Sequence, residues 1–404
     1  MEKRVVVTGV GVVSSIGTGR HNFWDALIKG KSGIAEITSF DTSNFPVHYG
    51  AEIKDFQPQE LFPKRKTTKI GRASSLAQAA ARLALEDGRI NPEDLVEKRI
   101  GVCLGTTMGE SQIIEKLNST LVNQGIEAVD YRLIPQSPSS VISVNLALDL
   151  KFRGANLVIS NACAAGNFAI GYAYDLIRLG EAEMMLAGGV DAFSKLAFTG
   201  FSRMFAVAPE KCQPFDKNRK GMMVGEGAGL VILESLDDAL ARGAEIYAEV
   251  LGYGLSCDAH HITAPYSHGI REAIEGALCE SKISPFDVDY ISAHGTGTVA
   301  NDKEECLAIK QVFRENYKKI PVSSIKSMIG HSMGASSAIE AIVCCLAIKY
   351  EIIPPTINYE TPDPECDIDC VPNIARSRKI NIALNNASAF GGNNYCLVVK
   401  RYAA

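Results

Sequence analysis

Hydrophobic and polar positions follow two alternating periods along the whole chain. Short runs rich in β-branched residues predict strands, among them RVVVTGVGVVSS, RIGVCLGTT, GLVILES, VDYIS, IPVSSIKSM and NYCLVVKRY. Longer runs with one apolar face predict helices between them, as in KIGRASSLAQAAARLALED. We expect RVVVTGVGVVSS to be a strand, a glycine-containing turn and more extended chain. Strands that alternate with helices indicate an α/β layered fold in which helices cover the sheets.

The second half of the chain faintly repeats the first. VVVTGVGVVSS resembles AEVLGYGLSCD, which opens the second half. The segment that contains Cys163 also resembles VSSIKSMIGHSMGASSAIE, where His331 takes the place of the cysteine and a glycine follows three residues later in both. We therefore predict two halves, residues 1–245 and 246–404, each of which presents one reactive residue from the start of a helix.

Cys163 is the best candidate nucleophile among the 11 cysteines. It stands between the apolar run ANLVIS and a helical run, and its neighbours are small. A helix N-terminus carries a partial positive charge that favours a thiolate, and small neighbours let a substrate reach the sulfur. Cys344 and Cys345 are typical of buried apolar cysteines. Cys366 and Cys370 have no second pair of ligands nearby, so we predict no metal site.

Two histidines and one lysine stand in unusual surroundings. His294 follows the apolar run VDYI within SAHGTGT, and His331 lies in the small-residue run SMIGHSMGA. Lys326 precedes His331 by five residues in a run predicted as a strand, where it either reaches to the surface or serves as a functional charge. Near the C-terminus, Phe390 precedes two glycines whose backbone amides can approach a ligand closely.

Composition excludes several classes of protein. Hydrophobic residues make up 46% of the chain and charged residues 22%, which is typical of a globular protein. A net charge of −5 gives no basic field for nucleic acid. We find no apolar run of the ~18 residues that a membrane span needs, and MEKRVVVTG enters a strand too early for a signal peptide. These features predict a cytoplasmic protein with reduced cysteines and no membrane insertion.

Six motifs give the chain a resemblance to a known family. TGVGVVSSIG, NACAAG, PFDKNRKGMMVGEGAG, AHGTGT, KSMIGH and FGGNN occur in the order found in the β-ketoacyl-acyl carrier protein synthases, the condensing enzymes of the thiolase fold. The resemblance extends from Arg4 to Tyr402. It implies a five-layered α-β-α-β-α architecture built from two duplicated halves, and usually a homodimer. It also implies no cofactor, because acyl carrier protein holds the substrates on its phosphopantetheine arm.

The resemblance implies catalytic roles for the residues singled out above. Cys163 would accept the acyl group, and His294 and His331 would stabilise the negative charge that grows on the malonyl thioester oxygen as carbon dioxide leaves. Lys326 would stand beside them, with Glu305 as its structural partner. The backbone amides of Cys163 and Phe390 would form a second oxyanion hole.

Further positions correspond to gating and binding residues of the family. They are the gate and oxyanion residues Phe390, Gly391 and Gly392, the phosphopantetheine-binding residues Thr263, Thr296 and Thr298, and the carrier-docking residues Lys64, Arg65, Lys66 and Lys69 of the basic run FPKRKTTKIGR. A basic run is usually a solvated face, but lysines at a helix N-terminus are disfavoured by the helix dipole, which favours a docking role here.

The predicted function is decarboxylative Claisen condensation of a Cys163-bound acyl group with malonyl-acyl carrier protein. Lys220 and Met222 stand where members from fatty acid synthesis usually carry aspartate and phenylalanine, and Ala389 replaces a glycine before the gate. These departures resemble enzymes of polyketide or polyene assembly, so the pathway stays open. One alternative is a non-elongating partner subunit, which would resemble a chain-length factor or act only as a decarboxylase and would form a heterodimer. The other alternative is a cysteine hydrolase that uses Cys163 and His294.

Overall fold

A computed structural model describes residues 2–57, 70–95 and 98–403. Its strands are β1 Val5–Ser14, β2 Gly17–Thr18, β3 Ala35–Glu36, β4 Tyr49–Gly50, β5 Ile100–Gly105, β6 Asn156–Ile159, β7 Met184–Asp191, β8 Gly227–Ser235, β9 Ala248–Cys257, β10 Tyr290–Ser292, β11 Val322–Ser323, β12 Ile352–Ile353, β13 Arg376–Ser377, β14 Ile382–Ala389 and β15 Asn393–Lys400.

Helices alternate with these strands, as the sequence predicts. The α-helices are α1 Arg20–Ile28, α2 Arg72–Asp87, α3 Ser111–Gln124, α4 Val141–Leu150, α5 Ala165–Arg178, α6 Lys195–Arg203, α7 Leu236–Ala241, α8 Ser267–Ser281, α9 Val299–Phe313, α10 Lys326–Ile329 and α11 Ser336–Tyr350. Short 3₁₀ helices are Pro92–Leu95, Ile126–Ala128, Tyr131–Gln136, Ala162–Ala164, Pro285–Asp287, Arg314–Lys319, Met333–Ala335 and Pro364–Cys366.

Two sets of five strands share one topology. The first set has the spatial order β6-β5-β7-β8-β1, and the second has the order β11-β10-β14-β15-β9. If the five strands of each set are numbered along the chain, both sets have the same spatial order, 3-2-4-5-1. The parallel pairs also correspond, since β5 pairs with β6 and β7 as β10 pairs with β11 and β14. Residues 5–7 of β1 pair antiparallel with residues 248–250 of β9 and join the sets. The faint repeat in the sequence is therefore a duplicated fold.

Three apolar clusters separate the helices into three layers. Helices α5 and α11 lie in the middle cluster, between the two sets of strands. Helices α2 and α4 cover the outer face of the first set, and α8 and α9 cover the outer face of the second. In β5, Cys103 packs in the middle cluster while Val102 and Leu104 pack in the outer one, as the alternation of a strand requires. The predicted five-layered α-β-α-β-α architecture is confirmed.

Strand β1 differs from its prediction because it contains no turn. It is buried along its whole length, with a local irregularity between Val7 and Gly9. Its glycines serve packing: a Cβ atom on Gly11 would lie 1.9 Å from the carbonyl oxygen of Ala80 in α2. The absence of side chains lets the helix backbone approach the strand directly.

One stretch of the described chain, Met333–Tyr350, is long and apolar enough to cross a membrane by length and composition alone. Our expectation that no such run exists was wrong. Because 89% of this stretch is buried inside the protein, its apolar character is accounted for by its place in the middle layer, where it includes helix α11.

Candidate active site

The residues that the sequence singles out converge on one cavity. Cys163, His294 and His331 all line it, and its volume is about 500 Å³. The cysteine follows β6 of the first strand set, whereas the histidines follow β10 and β11 of the second. The corresponding strand ends of the two halves thus face each other across the cavity.

Cys163 lies in the 3₁₀ turn Ala162–Ala164, directly before α5. Ala162 has a φ of 44°, a left-handed conformation that costs energy in a residue with a Cβ atom. The second half repeats this geometry, since Met333 has a φ of 51° and begins the 3₁₀ turn before α11. The structural counterpart of Cys163 is therefore Gly334, and the sequence alignment that placed His331 opposite the cysteine was out of register.

The sulfur of Cys163 is deeply enclosed, with 7% of the residue exposed. Burial raises the pKa of Cys163 to about 12, although the Lys326 charge and the backbone amides of Cys163 and Phe390 act to lower it. Burial therefore outweighs the favourable charge and dipoles at the start of the helix. The two amides donate toward the sulfur, and their role as an oxyanion hole stays a prediction.

The two histidines are neutral hydrogen-bonding groups. Their rings meet edge to face with centroids 5.5 Å apart. Burial, followed by the charge of Lys326, lowers the pKa of both His294 and His331 well below 6.5. The Nδ1 atom of His331 lies 3.0 Å from Oγ of Ser336. Neutral imidazoles donate one N–H each, which suits them to bind an oxygen that becomes negative.

Lys326 has a different carboxylate partner from the one predicted. Its Nζ donates to Oε1 of Glu340 at 2.5 Å and to the carbonyl oxygen of His294 at 2.6 Å. Glu305 instead accepts the backbone amides of His294 and Gly295, each at 2.8 Å. The assignment of Glu305 to Lys326 was therefore wrong: those two amides occupy its carboxylate oxygens, and Glu340 reaches the lysine from α11. Lys326 also begins α10 rather than lying in a strand.

The gate after β14 also differs in part from expectation. The amide of Gly391 donates to the carbonyl of Ile262 at 2.8 Å, and the amide of Gly392 donates to that of Ala389 at 3.0 Å. Both amides are therefore occupied, and the predicted approach of a ligand to them was wrong. Their φ values of 88° and 78° favour glycine, so these residues shape the turn that presents the Phe390 amide.

Thr263, Thr296 and Thr298 line the same cavity as Cys163. The hydroxyl oxygens of Thr296 and Thr298 are 2.9 Å apart, and the amide of Thr263 donates to Nδ1 of His261 at 3.1 Å. The three threonines therefore share one cavity with the sulfur, and their binding role stays a prediction.

The predicted docking lysines and arginine, Lys64, Arg65, Lys66 and Lys69, lie outside the described residues. Arg72, at the end of the same basic run, pairs with Glu226 at 2.7 Å and so does not form part of a free basic face. Among the residues that the structure describes, no group of three or more histidine, cysteine, aspartate or glutamate side chains is arranged to hold a metal ion.

Asp191 is a site residue that the sequence prediction missed. It is fully buried at the end of β7 and accepts the amides of Thr107 and Met108 at 2.8 Å and of Gly334 at 2.7 Å. Burial raises its pKa to about 6. The carboxylate links the ends of β5 and β7 in the first half to the 3₁₀ turn before α11 in the second. An acidic residue that closes the apolar run MMLAGGVD was the signal available in the sequence.

The protonation of His294 and His331 is expected to be insensitive to pH near the ordinary histidine pKa. Since the pKa of both histidines is lowered well below 6.5, neither imidazole gains a proton between about pH 6 and about pH 8. The measurement is the NMR chemical shift of each imidazole across this range, because burial raises the pKa of Asp191 to about 6 and that of Glu340 to about 7, and their titration would alter a reaction rate. A shift of either imidazole with a midpoint near 6.5 would contradict the neutral assignment.

This arrangement suits covalent acyl transfer, because a buried thiol faces two amide donors and the neutral imidazoles of His294 and His331 line the same cavity. Together with the duplicated five-layered fold, it defines a condensing enzyme of the thiolase-like class. The family profile described as "Beta-ketoacyl synthase, N-terminal domain" matches residues 2–239, and "Beta-ketoacyl synthase, C-terminal domain" matches residues 247–360. The chain belongs to the beta-ketoacyl synthase family.

Known proteins are similar to the chain over its whole length. The chain is 40% identical over 410 residues to "3-oxoacyl-[acyl-carrier-protein] synthase 2" of Synechocystis sp., with 99% of each covered. It is 45% identical, with a TM-score of 0.96 and full coverage of both chains, to the structure "The ishigamide ketosynthase/chain length factor". A type II PKS ketosynthase in complex with its acyl-carrier protein is 33% identical with a TM-score of 0.91 and full coverage. The chain is thus an elongating condensing enzyme, a ketosynthase acyltransferase.

Proposed function

We propose that Cys163 carries the growing acyl chain during elongation. The observation that carries this proposal is the contact of its sulfur with the backbone amides of Cys163 and Phe390 at the floor of the cavity. Sγ attacks the acyl thioester, a new S–C bond forms, and the carrier thiol leaves. The tetrahedral oxyanion is bound by those amides. The thiol proton leaves as the bond forms and ends on the departing carrier sulfur, so the exchange of one thioester for another balances without a proton on either imidazole.

His294 and His331 then act on the malonyl thioester. Loss of carbon dioxide leaves a carbanion whose negative charge lies on the thioester oxygen, and two neutral N–H donors stabilise it there. The carbanion attacks the carbonyl carbon of the Cys163-bound acyl group, a C–C bond forms, and the S–C bond breaks. The sulfur leaves as a thiolate and regains a proton from water. Burial, assisted by the charge of Lys326, keeps both imidazoles neutral, and the hydrogen bond from Lys326 to the His294 carbonyl fixes that loop. The substrate arm runs along Thr263, Thr296 and Thr298.

The partner that delivers both substrates is acyl carrier protein, and no cofactor is needed for either half of the reaction. We also assign the enzyme to the cytoplasm, where its 11 free cysteines would stay reduced. The departures at Lys220, Met222 and Ala389 favour a polyketide or polyene pathway over housekeeping fatty acid synthesis. The 33% identity to a type II PKS ketosynthase supports this preference.

A second chain of the same fold is expected to bind along β6. This strand ends the first strand set, and its residues are exposed or half-buried. The Nδ2 atom of Asn156 donates to the Ser143 carbonyl of α4, and beside it Val144 and Leu148 are 43% and 70% exposed. An open strand edge flanked by apolar side chains is typical of a subunit interface. The second chain is either another copy, as predicted, or a subunit that resembles a chain-length factor.

An elongation assay tests the proposed reaction. Supplied with acyl- and malonyl-acyl carrier protein, the enzyme should yield a β-ketoacyl thioester two carbons longer and one carbon dioxide for each condensation, quantified by mass spectrometry of the carrier. A non-elongating subunit would release carbon dioxide and leave acetyl-carrier protein without the extended product. That outcome would overturn the proposal.

A further inference from the structure

The imidazole of His331 is held by a serine at the start of the next helix. The Oγ atom of Ser336 lies 3.0 Å from Nδ1 of His331, and both residues are buried, with 1% and 2% of their surface exposed. The 3₁₀ turn Met333–Ala335 reverses the chain between them and brings the first residue of α11 back to the ring. Among the residues that the structure describes, this is the one hydrogen bond made by the His331 imidazole.

The turn itself does not require a hydroxyl group at this position. The first half of the chain forms the same turn before α5, and the residue that corresponds to Ser336 there is Ala165. The two backbones match, with a φ of −53° at Ala165 and −54° at Ser336. Because alanine supports the same turn, the buried hydroxyl of Ser336 is explained by the imidazole that it contacts rather than by the fold.

A count of donors and acceptors decides the direction of this hydrogen bond. His331 is neutral, because burial and the charge of Lys326 lower its pKa well below 6.5, so one of its two ring nitrogens carries a proton. If that nitrogen were Nδ1, the buried O–H group of Ser336 would have no acceptor in the described part of the chain, which is unfavourable. If the hydroxyl donates to Nδ1, both groups are satisfied and the ring proton lies on Nε2.

The position of the ring proton determines what His331 can do in the cavity. Nδ1 is occupied by Ser336, so Nε2 is the ring nitrogen left to bind a ligand in the cavity that His331 lines together with Cys163. An N–H group at Nε2 stabilises an oxygen that becomes negative, whereas a lone pair there would repel it.

His294, the other imidazole of the pair, is held differently. Its Nδ1 atom is buried and has no hydrogen-bond partner within the described residues. The protein therefore selects the tautomer of His331 through a side chain and does not do so for His294. This difference provides an internal reference for an experiment on Ser336.

We propose that Ser336 is a positioning residue that holds His331 in the tautomer protonated at Nε2, which decarboxylation of the malonyl thioester requires. This inference rests on the proposed function, since the tautomer affects the reaction only if His331 donates to the thioester oxygen. No proton is transferred between Ser336 and the ring, because the hydroxyl keeps its proton and contributes a hydrogen bond alone. Loss of the hydroxyl should therefore slow decarboxylation without weakening the binding of either substrate.

The test uses Ser336→Ala, which removes one oxygen atom, adds no bulk and installs the residue that the first half carries in the same turn. The ¹⁵N NMR spectrum of histidine-labelled protein reports which ring nitrogen is protonated, and the His331 signals are identified by their loss in His331→Ala. We expect the wild type to be protonated at Nε2 and Ser336→Ala to contain both tautomers of His331, with the tautomer of His294 unchanged.

The kinetic effect of Ser336→Ala should be selective. The kcat for decarboxylation of malonyl-acyl carrier protein should fall about three- to tenfold, the size expected for the loss of one hydrogen bond. The KM for this substrate and the rate of acylation of Cys163 should stay at the wild-type values, because Ser336 acts through His331 alone.

Ser332→Ala is the matched control. Ser332 is also buried and directly follows His331, but its hydroxyl donates to the carbonyl of Glu226 at 3.2 Å rather than to the imidazole. This variant loses a buried hydroxyl from the same loop, and it should keep the wild-type tautomer of His331 and the wild-type rate of decarboxylation.

The outcomes separate this inference from the function on which it rests. A wild type that releases no carbon dioxide and forms no extended product would contradict the proposed function, whereas the spectra test the tautomer in the absence of substrate. A wild-type His331 protonated at Nδ1 would overturn the role of Ser336. Wild-type decarboxylation by Ser336→Ala would also overturn it. So would an equal fall of decarboxylation and acylation in both serine variants, since that result would show general damage to the loop.

Discussion

Replacement of Cys163 with alanine is expected to lower condensation by at least about 10³-fold, as the loss of a covalent nucleophile does in other enzymes. Decarboxylation of malonyl-acyl carrier protein should remain measurable, because His294, His331 and Lys326 keep their contacts. The measurement is the β-ketoacyl product and the carbon dioxide released, recorded in the same reaction.

A control variant separates the chemistry from general damage. Cys279→Ala removes an exposed cysteine from α8 and should leave both rates at the wild-type level. Wild-type condensation by Cys163→Ala would contradict the nucleophile assignment. Loss of decarboxylation as well as condensation in this variant would show that the two half-reactions do not depend on separate groups.

The histidine variants are expected to show the opposite selectivity. His294→Ala and His331→Ala should each lower decarboxylation by about 10²- to 10³-fold, the effect typical of removing one oxyanion donor. Acyl transfer to Cys163 should continue, because the oxyanion formed there is bound by backbone amides that neither substitution removes. Acyl transfer to Cys163 is measured in quenched reactions that contain acyl-acyl carrier protein alone.

His268→Ala is the matched control, since this histidine is 50% exposed and pairs with Glu272 on α8, outside the cavity. It should retain both activities. If His294→Ala and His331→Ala block acylation but spare decarboxylation, then the roles of the histidines and the amides are inverted.

The fold could be predicted because its signals are local and repeated. Alternating strands and helices identified the layered class, and the echo of VVVTGVGVVSS in AEVLGYGLSCD reflected two strand sets of identical order. The strand β1 was mistaken for two pieces because its glycines look like turn residues in isolation. Only the close contact between the backbone of Ala80 and Gly11 shows that a glycine here allows the helix to pack directly on the strand.

The candidate site was predictable by residue type but not by pairing. Cys163, His294 and His331 stood out because each follows a strand within a run of small residues. Glu340 did not, because within SSAIEAIVCCLAI it is one acidic residue in an apolar helix, and its contact with Lys326 depends on how α11 packs. The pKa of Cys163 also could not be predicted, since it depends on burial, which a sequence does not state.

The register of the internal repeat was a further limit. His331 appeared to match Cys163 because both precede a glycine by three residues, yet the backbone pairs Cys163 with Gly334. The two halves therefore do not present equivalent reactive residues. The first half supplies the nucleophile from its turn, and the second half supplies the histidines from loops before its own turn.

Acylation of Cys163 is the central step of the proposed reaction. The enzyme is incubated with acyl-acyl carrier protein in the absence of malonyl thioester, digested and analysed by peptide mass spectrometry. We predict one acyl group per chain, located on the peptide that contains Cys163 and transferred into β-ketoacyl product when malonyl-acyl carrier protein is added. An acyl group on any other residue, or a protein that forms extended product without becoming acylated, would contradict the account.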